Sequence, residues 1–436
     1  MINTERTKEL RIKRANTDWW LHEKAMVADN GKTYITYCTD MGEIHIKELD
    51  AKCSKVPSRD YRLSKLNYSY SDEHNTASLC VMNSGKIFVG YTGHYVHALK
   101  YRVTEKPYDI FSFGEETLIQ FDGTVTYVQV FENTVKHELW LFTRVNYVNW
   151  QFCYSRDEGK TWSKPRNFLH SDDGGLFYID IRKQHIITEK GVDEQWLFAL
   201  YGHPRISKDH TIRSGIFNSN GILTRCDGTL TGLNLYDETE ETIDLENLDI
   251  VYESPEGTTV RLLDVSPTLP LRVAFAPFIL DKEDAPSPEY AYYCSASFRD
   301  GKWNVSEPIC TAGEFLANDV LDGSQTYLGG MAYYYGVGDA GLFPLFHKPT
   351  FTDRIFITRF DGKNRVVESY LSQNYGKSYE LEQVIRRVEE KDVKTWRPIV
   401  PVYAQDNMPV YWHEGVYNCH TGGWHCDAVM LVEYDD

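Results

Sequence analysis

Along this chain apolar and polar residues alternate in short runs; they do not recur at the spacing of a helix. Clear runs begin at Lys32 (KTYITYCTDMGEIHIKEL), Gly85 (GKIFVGYTGHYVHALKY) and His137 (HELWLFTRVNYVNWQFCYS). Others begin at Glu194, at Leu271 with a second arm from Glu289, at Arg354 with a second arm from Val366, and at Met408 with a second arm from Asp427. Each run is rich in β-branched and aromatic residues at period two and breaks at a turn, the pattern of two paired strands. About seven such units, roughly 50 to 80 residues apart, predict sheets repeated around an axis. The expectation is an all-β chain: a single seven-bladed β-propeller of four-stranded antiparallel blades, with residues 1–436 as one domain. No linker rich in Pro, Gly or Ser divides the chain. The best helical candidate is LEQVIRRVEEKDV from Leu381, read as a helix or as a connection between strands.

Composition adds a core and removes some partners. A hydrophobic content of 42% is ample for a buried interior. The 30 Tyr and 10 Trp suit half-buried pleated surfaces, and the same rings make platforms for sugars. A formal charge of −17 argues against nucleic acid or an anionic membrane surface as partner. An acidic chain that binds an acidic sugar must gather Arg, Lys and His in one pocket. The first residues, MINTERTKELRIKRANTDWW, carry charge where a secretory leader needs an apolar run. No run of about 18 apolar residues is present to span a bilayer. The expected location is cytoplasmic, or secreted or periplasmic if a leader has been removed. The 9 Cys are scattered without small-domain spacing, so a disulfide framework is not expected.

The sharpest local motif is Ser155-Arg-Asp157-Glu-Gly159-Lys-Thr161-Trp162, which fits the pattern S-x-D-x-G-x-T-W. It reads as a tight turn in which Asp157 bonds backbone amides, Gly159 takes a positive φ and Trp162 packs back onto the sheet. A weaker copy is Ser372-Gln-Asn374-Tyr-Gly376-Lys-Ser378-Tyr379, and Phe298-Arg-Asp300-Gly301-Lys-Trp303 is a shorter relative. These are structural turns, and Asp157 is read as structural.

With those boxes in place, the chain resembles the sialidase-superfamily (Asp-box, or BNR-repeat) propellers that include ulvan lyases and rhamnosyl-glucuronate lyases. The resemblance rests on Asp72-Glu-His74-Asn75, the strand ending in Gly93-His94, Thr126-Tyr127, Leu141-Phe-Thr-Arg144 and Tyr201-Gly202-His203-Pro204. It continues through Gly301-Lys-Trp303, Tyr327-Leu-Gly329-Gly330 and Trp396-Arg397-Pro398. It implies a lyase that cleaves at O4 of a glucuronate or iduronate, rhamnose-linked as in ulvan or arabinogalactan, by β-elimination. Carried over position by position, it implies His74, His94 and Tyr127 as the catalytic set and Arg144 and His203 as substrate-binding residues. The chemistry is coherent. The C5 proton is removable only when the adjacent carboxylate is neutralised, which suits Arg144, and a base and an acid that work near neutral pH suit His. From residue type alone, each of these side chains could equally be core or surface.

Three matters stay open at this stage. No cofactor is required for the chemistry, but Cys294, Cys310, Cys419, His420, His425 and Cys426 offer soft ligands for a structural Zn²⁺, or are simply thiols and imidazoles in a reducing compartment. A sialidase-type glycosidase would need an arginine triad, and the nearest string, Pro204-Arg205-Ile206-Ser207, has the wrong order. A non-catalytic glycan-binding propeller would share the fold without the chemistry.

Overall fold

A computed structural model describes residues 7–16, 24–50, 58–66, 74–171, 176–188, 191–204, 207–238, 242–266, 268, 270–279, 291–313, 328–334, 353–404, 409–418 and 423–433. Among them the regular structure is β throughout, apart from a 3-10 turn at Leu245–Asn247. The sheets are built from antiparallel pairs, and most run as a meander from an inner strand at a common axis to an outer edge. The first strands of successive sheets touch in chain order, and Lys24, Arg182, Asp264, Met331 and Arg397 line one narrow cavity of about 20 Å³ there. Between the sheets lies an aromatic-rich interior in which Trp140, Trp150, Trp196, Trp396 and Trp412 are all buried. The architecture is an all-β propeller. No helix among the described residues is long and apolar enough to cross a membrane.

The expectation of seven separate four-stranded blades is corrected. The described strands form six hydrogen-bonded sheets of 4, 7, 6, 5, 5 and 4 strands. The largest departure has a local cause. Thr117–Asn133 is a continuous 17-residue strand. Its first part pairs with Val96–Val103 and its second with Glu138–Val145. Two hairpin units that look separate in sequence therefore share one backbone and one seven-stranded sheet. Register breaks between Gln120 and Val125 and between Thr126 and Gln129 bend the strand where it changes partners. The segment from Leu381 is also corrected: Glu380–Val388 is a strand paired with Arg365–Ser372. Its two register shifts against that partner break the strict alternation that would have marked it as β.

The Asp boxes behave as turns. Asp157 accepts from the Thr161 amide (2.8 Å) and hydroxyl (2.6 Å), Ser155 Oγ accepts from the Gly159 amide (2.8 Å), and Gly159 has φ +91°. Trp162 packs edge-on against Phe88 and Tyr101 of the neighbouring strands. The second box repeats the scheme: Ser372 Oγ accepts from the Gly376 amide and Asn374 Oδ1 from the Ser378 amide. The third motif differs. Asp300 and Gly301, both at positive φ, form a two-residue hairpin turn between the paired residues Arg299 and Lys302.

The ring is closed by the N-terminal strand. Thr7–Ile12 adds to the edge of Gly423–Glu433, with Thr7 opposite Glu433 and Ile12 opposite Ala428. One carboxylate secures this joint: Glu414 receives Arg11 (2.6 Å), Arg386 (3.0 Å) and the Trp412 indole N–H (2.9 Å). It thereby ties the first strand and two adjacent sheets. Burial works to raise the Glu414 pKa, but the bonds from Trp412, Arg386 and Arg11 outweigh it and hold the carboxyl below its ordinary value. A depressed carboxylate stabilises the fold above its unfolded pKa, and that stabilisation is lost as the pH falls through the folded value. Glu414→Ala is expected to cost about 2–4 kcal/mol in chemical denaturation at pH 7. Its deficit against the parent should shrink below about pH 4; an undiminished deficit there would assign the loss to packing instead of charge.

Candidate active site at one mouth of the propeller

In an antiparallel meander the start of the first strand and the end of the second lie on the same edge of the sheet. The register does this three times: Thr76 faces Thr92, Thr126 faces Arg144, and Phe177 faces Gly202. His74 precedes the first of these pairs and His94 follows it, while His203 follows the third. Tyr127 and Arg144 sit at the second. All five residues singled out in the sequence therefore emerge at one mouth of the axis.

They also meet. The His74 and His94 rings stack at 3.8 Å between centroids and 5° between planes. Tyr127 lies 6.0 Å from His74, and the Arg144 guanidinium lies 4.5 Å over the Tyr127 ring. His203 joins through a residue the sequence reading did not select. Tyr178 is 5.3 Å from Arg144 and 6.0 Å from His203, so it stands between the two. His203 thus reaches Arg144 through an aromatic ring. His203 is fixed by its backbone, whose N–H donates to Leu176 O (2.7 Å).

Arg144 is enclosed, not presented to solvent. It is only 1% exposed, and the groups that face its charge are Tyr127, Tyr178 and Tyr95, with a hydrogen bond to Tyr178. Its Nε and Nη1 have no acceptor among the described residues. A buried guanidinium without a carboxylate partner is costly, and it strongly favours negative charge developing nearby.

A second stack extends this cluster to the surface. Tyr95 packs 3.7 Å from His94, and Tyr147 packs 4.0 Å from Tyr95. Four rings thus run outward from His74 to Tyr147, which is 42% exposed. Three tyrosines of the mouth take left-handed backbone: Tyr95 (φ 56°), Tyr127 (φ 68°) and Tyr147 (φ 66°). For a bulky side chain this conformation costs roughly 1–2 kcal/mol, and such residues concentrate where a site imposes them. Local bonds hold the strain. Thr126 Oγ1 accepts from the Tyr95 amide (3.2 Å), and Thr143 Oγ1 donates to Tyr127 O (2.6 Å). Sequence pattern carries no sign of positive φ at a tyrosine, so Tyr95 and Tyr147 went unselected, and Tyr178 looks like any other aromatic residue in a paired strand. The visible hint is the repeated placement of an aromatic residue at the first positions of an inner strand, Thr126-Tyr127 and Phe177-Tyr178.

Among the described residues no group of three His, Cys, Asp or Glu could hold an ion. Cys426 Sγ donates to Ala15 O, and His425 pairs with Asp40. Cys294 and Cys310 lie together in a different sheet. No step is routed through a metal. Cys419, His420 and Arg205 lie outside the described residues.

The profile of the BNR repeat-containing family matches residues 32–183. The resemblance to Asp-box repeat propellers holds. Among solved structures, a PL25 ulvan lyase bound to -[GlcA(1-4)Rha3S]- matches with a TM-score of 0.67 at 13% identity, over 98% of this chain and 96% of that one. The same kind of enzyme without that ligand in its description matches at 0.65, also at 13% identity over 98% and 96%. The polysaccharide lyase Uly1 matches at 0.57, with 10% identity over 98% of this chain and 99% of that one. At these identities the likeness establishes the fold. No curated protein matches the sequence.

Gly123 tests how the outer stack is held. It has φ +140°, and a Cβ there would overlap the Asn146 side chain, which accepts from the Thr124 amide (2.9 Å) and donates to Asp122 O (3.1 Å). Gly123→Ala is expected to release the turn carrying Tyr147. Amide exchange at Thr124 and Asn146 should quicken about tenfold or more, with the inner strands unchanged. Unaltered exchange at both amides would mean that another contact holds the turn.

Proposed function

We propose that this chain is a polysaccharide lyase that cleaves at O4 of a uronic acid by β-elimination. The observation that carries the reading is the enclosed Arg144 beneath Tyr127, beside the stacked His74 and His94. In the reaction the C5–H and C4–O4 bonds break and a C4–C5 double bond forms; one proton leaves C5 and another is delivered to the departing O4. Tyr127, His74 and His94 are the acid–base set. Negative charge builds as the C5 proton leaves, and a guanidinium held under the Tyr127 ring in a dry setting stabilises it without reorganisation. The stacked imidazoles, 3.8 Å apart, are groups suited to exchange protons with the sugar near neutral pH. Burial pushes the Tyr95 phenol up, which suits a wall better than a base. The exposed Tyr147 ring offers a face for the adjoining sugar. The fold likeness to ulvan lyases is in keeping with this reading, and the substrate inferred is a glucuronate- or iduronate-bearing, rhamnose-linked glycan.

A glycosidase of the sialidase kind is less well supported, because that chemistry needs an arginine triad on the substrate carboxylate beside its tyrosine nucleophile. Among the described residues the cluster offers one arginine, three histidines and tyrosines. A non-catalytic glycan-binding propeller remains the second reading, favoured by the 1% exposure of Arg144.

Absorbance in the mid-ultraviolet during incubation with ulvan, gum arabic oligosaccharides and other uronate glycans separates the three, since only elimination leaves a conjugated double bond. The expected result is a rise that falls by about 10²–10⁴ in His74→Ala, His94→Ala and Tyr127→Phe, with the fold intact by circular dichroism. Tyr147→Ala should raise KM about fivefold with kcat little changed. Reducing sugar without the absorbance rise would point to the glycosidase. Binding with no product across the panel would point to the lectin-like reading.

A further inference from the structure

A cavity lies at the other end of the axis from the histidine stack. Along the inner strands, Glu132 is five residues beyond Tyr127 and His185 is seven beyond Tyr178. The two ends are therefore roughly 17–23 Å apart. The cavity measures about 130 Å³. A single bound water occupies about 10–15 Å³ on the same measure, so this is room for roughly ten waters, or for one sugar ring. Its walls include Tyr108, Phe131, Glu132, Lys183, His185 and Tyr403.

The chemistry of these walls differs from that of the first mouth. The two permanent cations here are already matched. Lys183 pairs with Glu194 (2.6 Å), and Arg182 pairs with Asp180 (2.8 Å) and Asp264 (3.1 Å). Burial and the neighbouring Lys183 lower the His185 pKa, and burial raises that of Glu132. The Asp29 and Glu132 carboxylates also line the cavity, so with both cations matched none is left to receive an anion, and the other polar groups are neutral hydrogen-bonding ones. The Tyr403 hydroxyl and His185 Nε2 lie 3.4 Å apart, and the Gln184 amide stands on the same strand as His185. Opposite are the rings of Tyr108 and Phe131. A pyranose has this dual character, with C–H groups on its faces and hydroxyls around its edge.

Backbone strain points the same way. Tyr108 (φ 56°) and Tyr403 (φ 59°) both take the left-handed conformation. They are the only left-handed non-glycine residues among the described lining of this cavity. The first mouth shows the same signature at Tyr95, Tyr127 and Tyr147, although no residue is shared between the two places.

We propose that this second mouth is a separate binding site for one uncharged sugar ring, a neutral hexose or deoxyhexose. It does not depend on the lyase reading, since it uses none of the residues assigned to the reaction. The balanced charge selects against a uronate, which the first mouth is built to receive.

The test is equilibrium binding to the full chain, by calorimetry and by saturation-transfer NMR, with free D-glucose, D-galactose and L-rhamnose, D-glucuronate as the charged control and uridine as a neutral nucleoside that carries no pyranose. The expected result is saturable binding of at least one neutral sugar, at least tenfold tighter than D-glucuronate and uridine. That binding should weaken at least tenfold in His185→Ala and Tyr403→Ala and persist in His74→Ala. Ala28→Phe, which fills the cavity from another strand, should abolish it and serves if either first variant fails to fold. No saturable binding by any neutral sugar overturns the proposal. So does equal binding of D-glucuronate or uridine, or binding that survives the filled cavity.

Discussion

Much of this molecule depends on a constraint of antiparallel pairing: the residue that opens an inner strand must face the residue that closes the next one. Because most of the sheets begin their meander at the axis, pairs of this kind lie at one mouth. Thr76–Thr92, Thr126–Arg144 and Phe177–Gly202 are three instances in succession. Side chains some 130 residues apart in sequence, from His74 to His203, are gathered at strand ends. A one-residue slip in any of these registers would turn Tyr127 or Arg144 to the opposite face of its strand. The site is therefore as well specified as the sheet core, and the buried Trp140 and Trp150 on either side of Phe142 help keep that register.

Legibility followed from which features are local. Period-two alternation gave the all-β character directly, and the Asp boxes could be read because each is a closed set of bonds within eight residues. The division into seven four-stranded blades could not be read, because whether Thr117–Asn133 is one strand or two depends on how a bend between Gln120 and Thr126 is accommodated, and alternation on either side of that bend looks the same. Glu380–Val388 was obscured for a related reason: register shifts let apolar residues drift to a spacing that a helix would also show. At the mouth, the five selected residues lay at strand ends and did assemble. Their environment was not legible. That Arg144 is enclosed by tyrosines and not open to solvent is a property of packing between sheets. The outer rings, Tyr95 and Tyr147, meet across connections about 50 residues apart in sequence.

The same tension between charge and burial appears in three places and is met differently in each. Glu414 is buried with two arginines and an indole N–H, and its role is to hold the ring closed. Arg182 is buried with two aspartates on the axis, so its charge is spent internally. Arg144 is buried with aromatic rings alone among the described residues. A charge compensated by carboxylates contributes to structure but has little left for a ligand. Rings provide only a weak electrostatic match, leaving most of the guanidinium's field available.

This contrast bears on how an acidic protein would receive the acidic sugar proposed for it. With a formal charge of −17, the long-range field repels an anion, and at physiological ionic strength that field decays within about 8 Å. Inside the mouth the near field decides. There the cation is Arg144, its surroundings are apolar rings that exclude water, and the neighbouring imidazoles are the groups able to add further positive charge. Strain at Tyr95, Tyr127 and Tyr147 keeps those rings in place against the conformations they would otherwise prefer. Backbone cost, aromatic enclosure and an unmatched guanidinium thus form one arrangement. None of the three would be retained for stability alone, because replacing Arg144 by an apolar residue and the strained tyrosines by glycine would relieve each penalty separately.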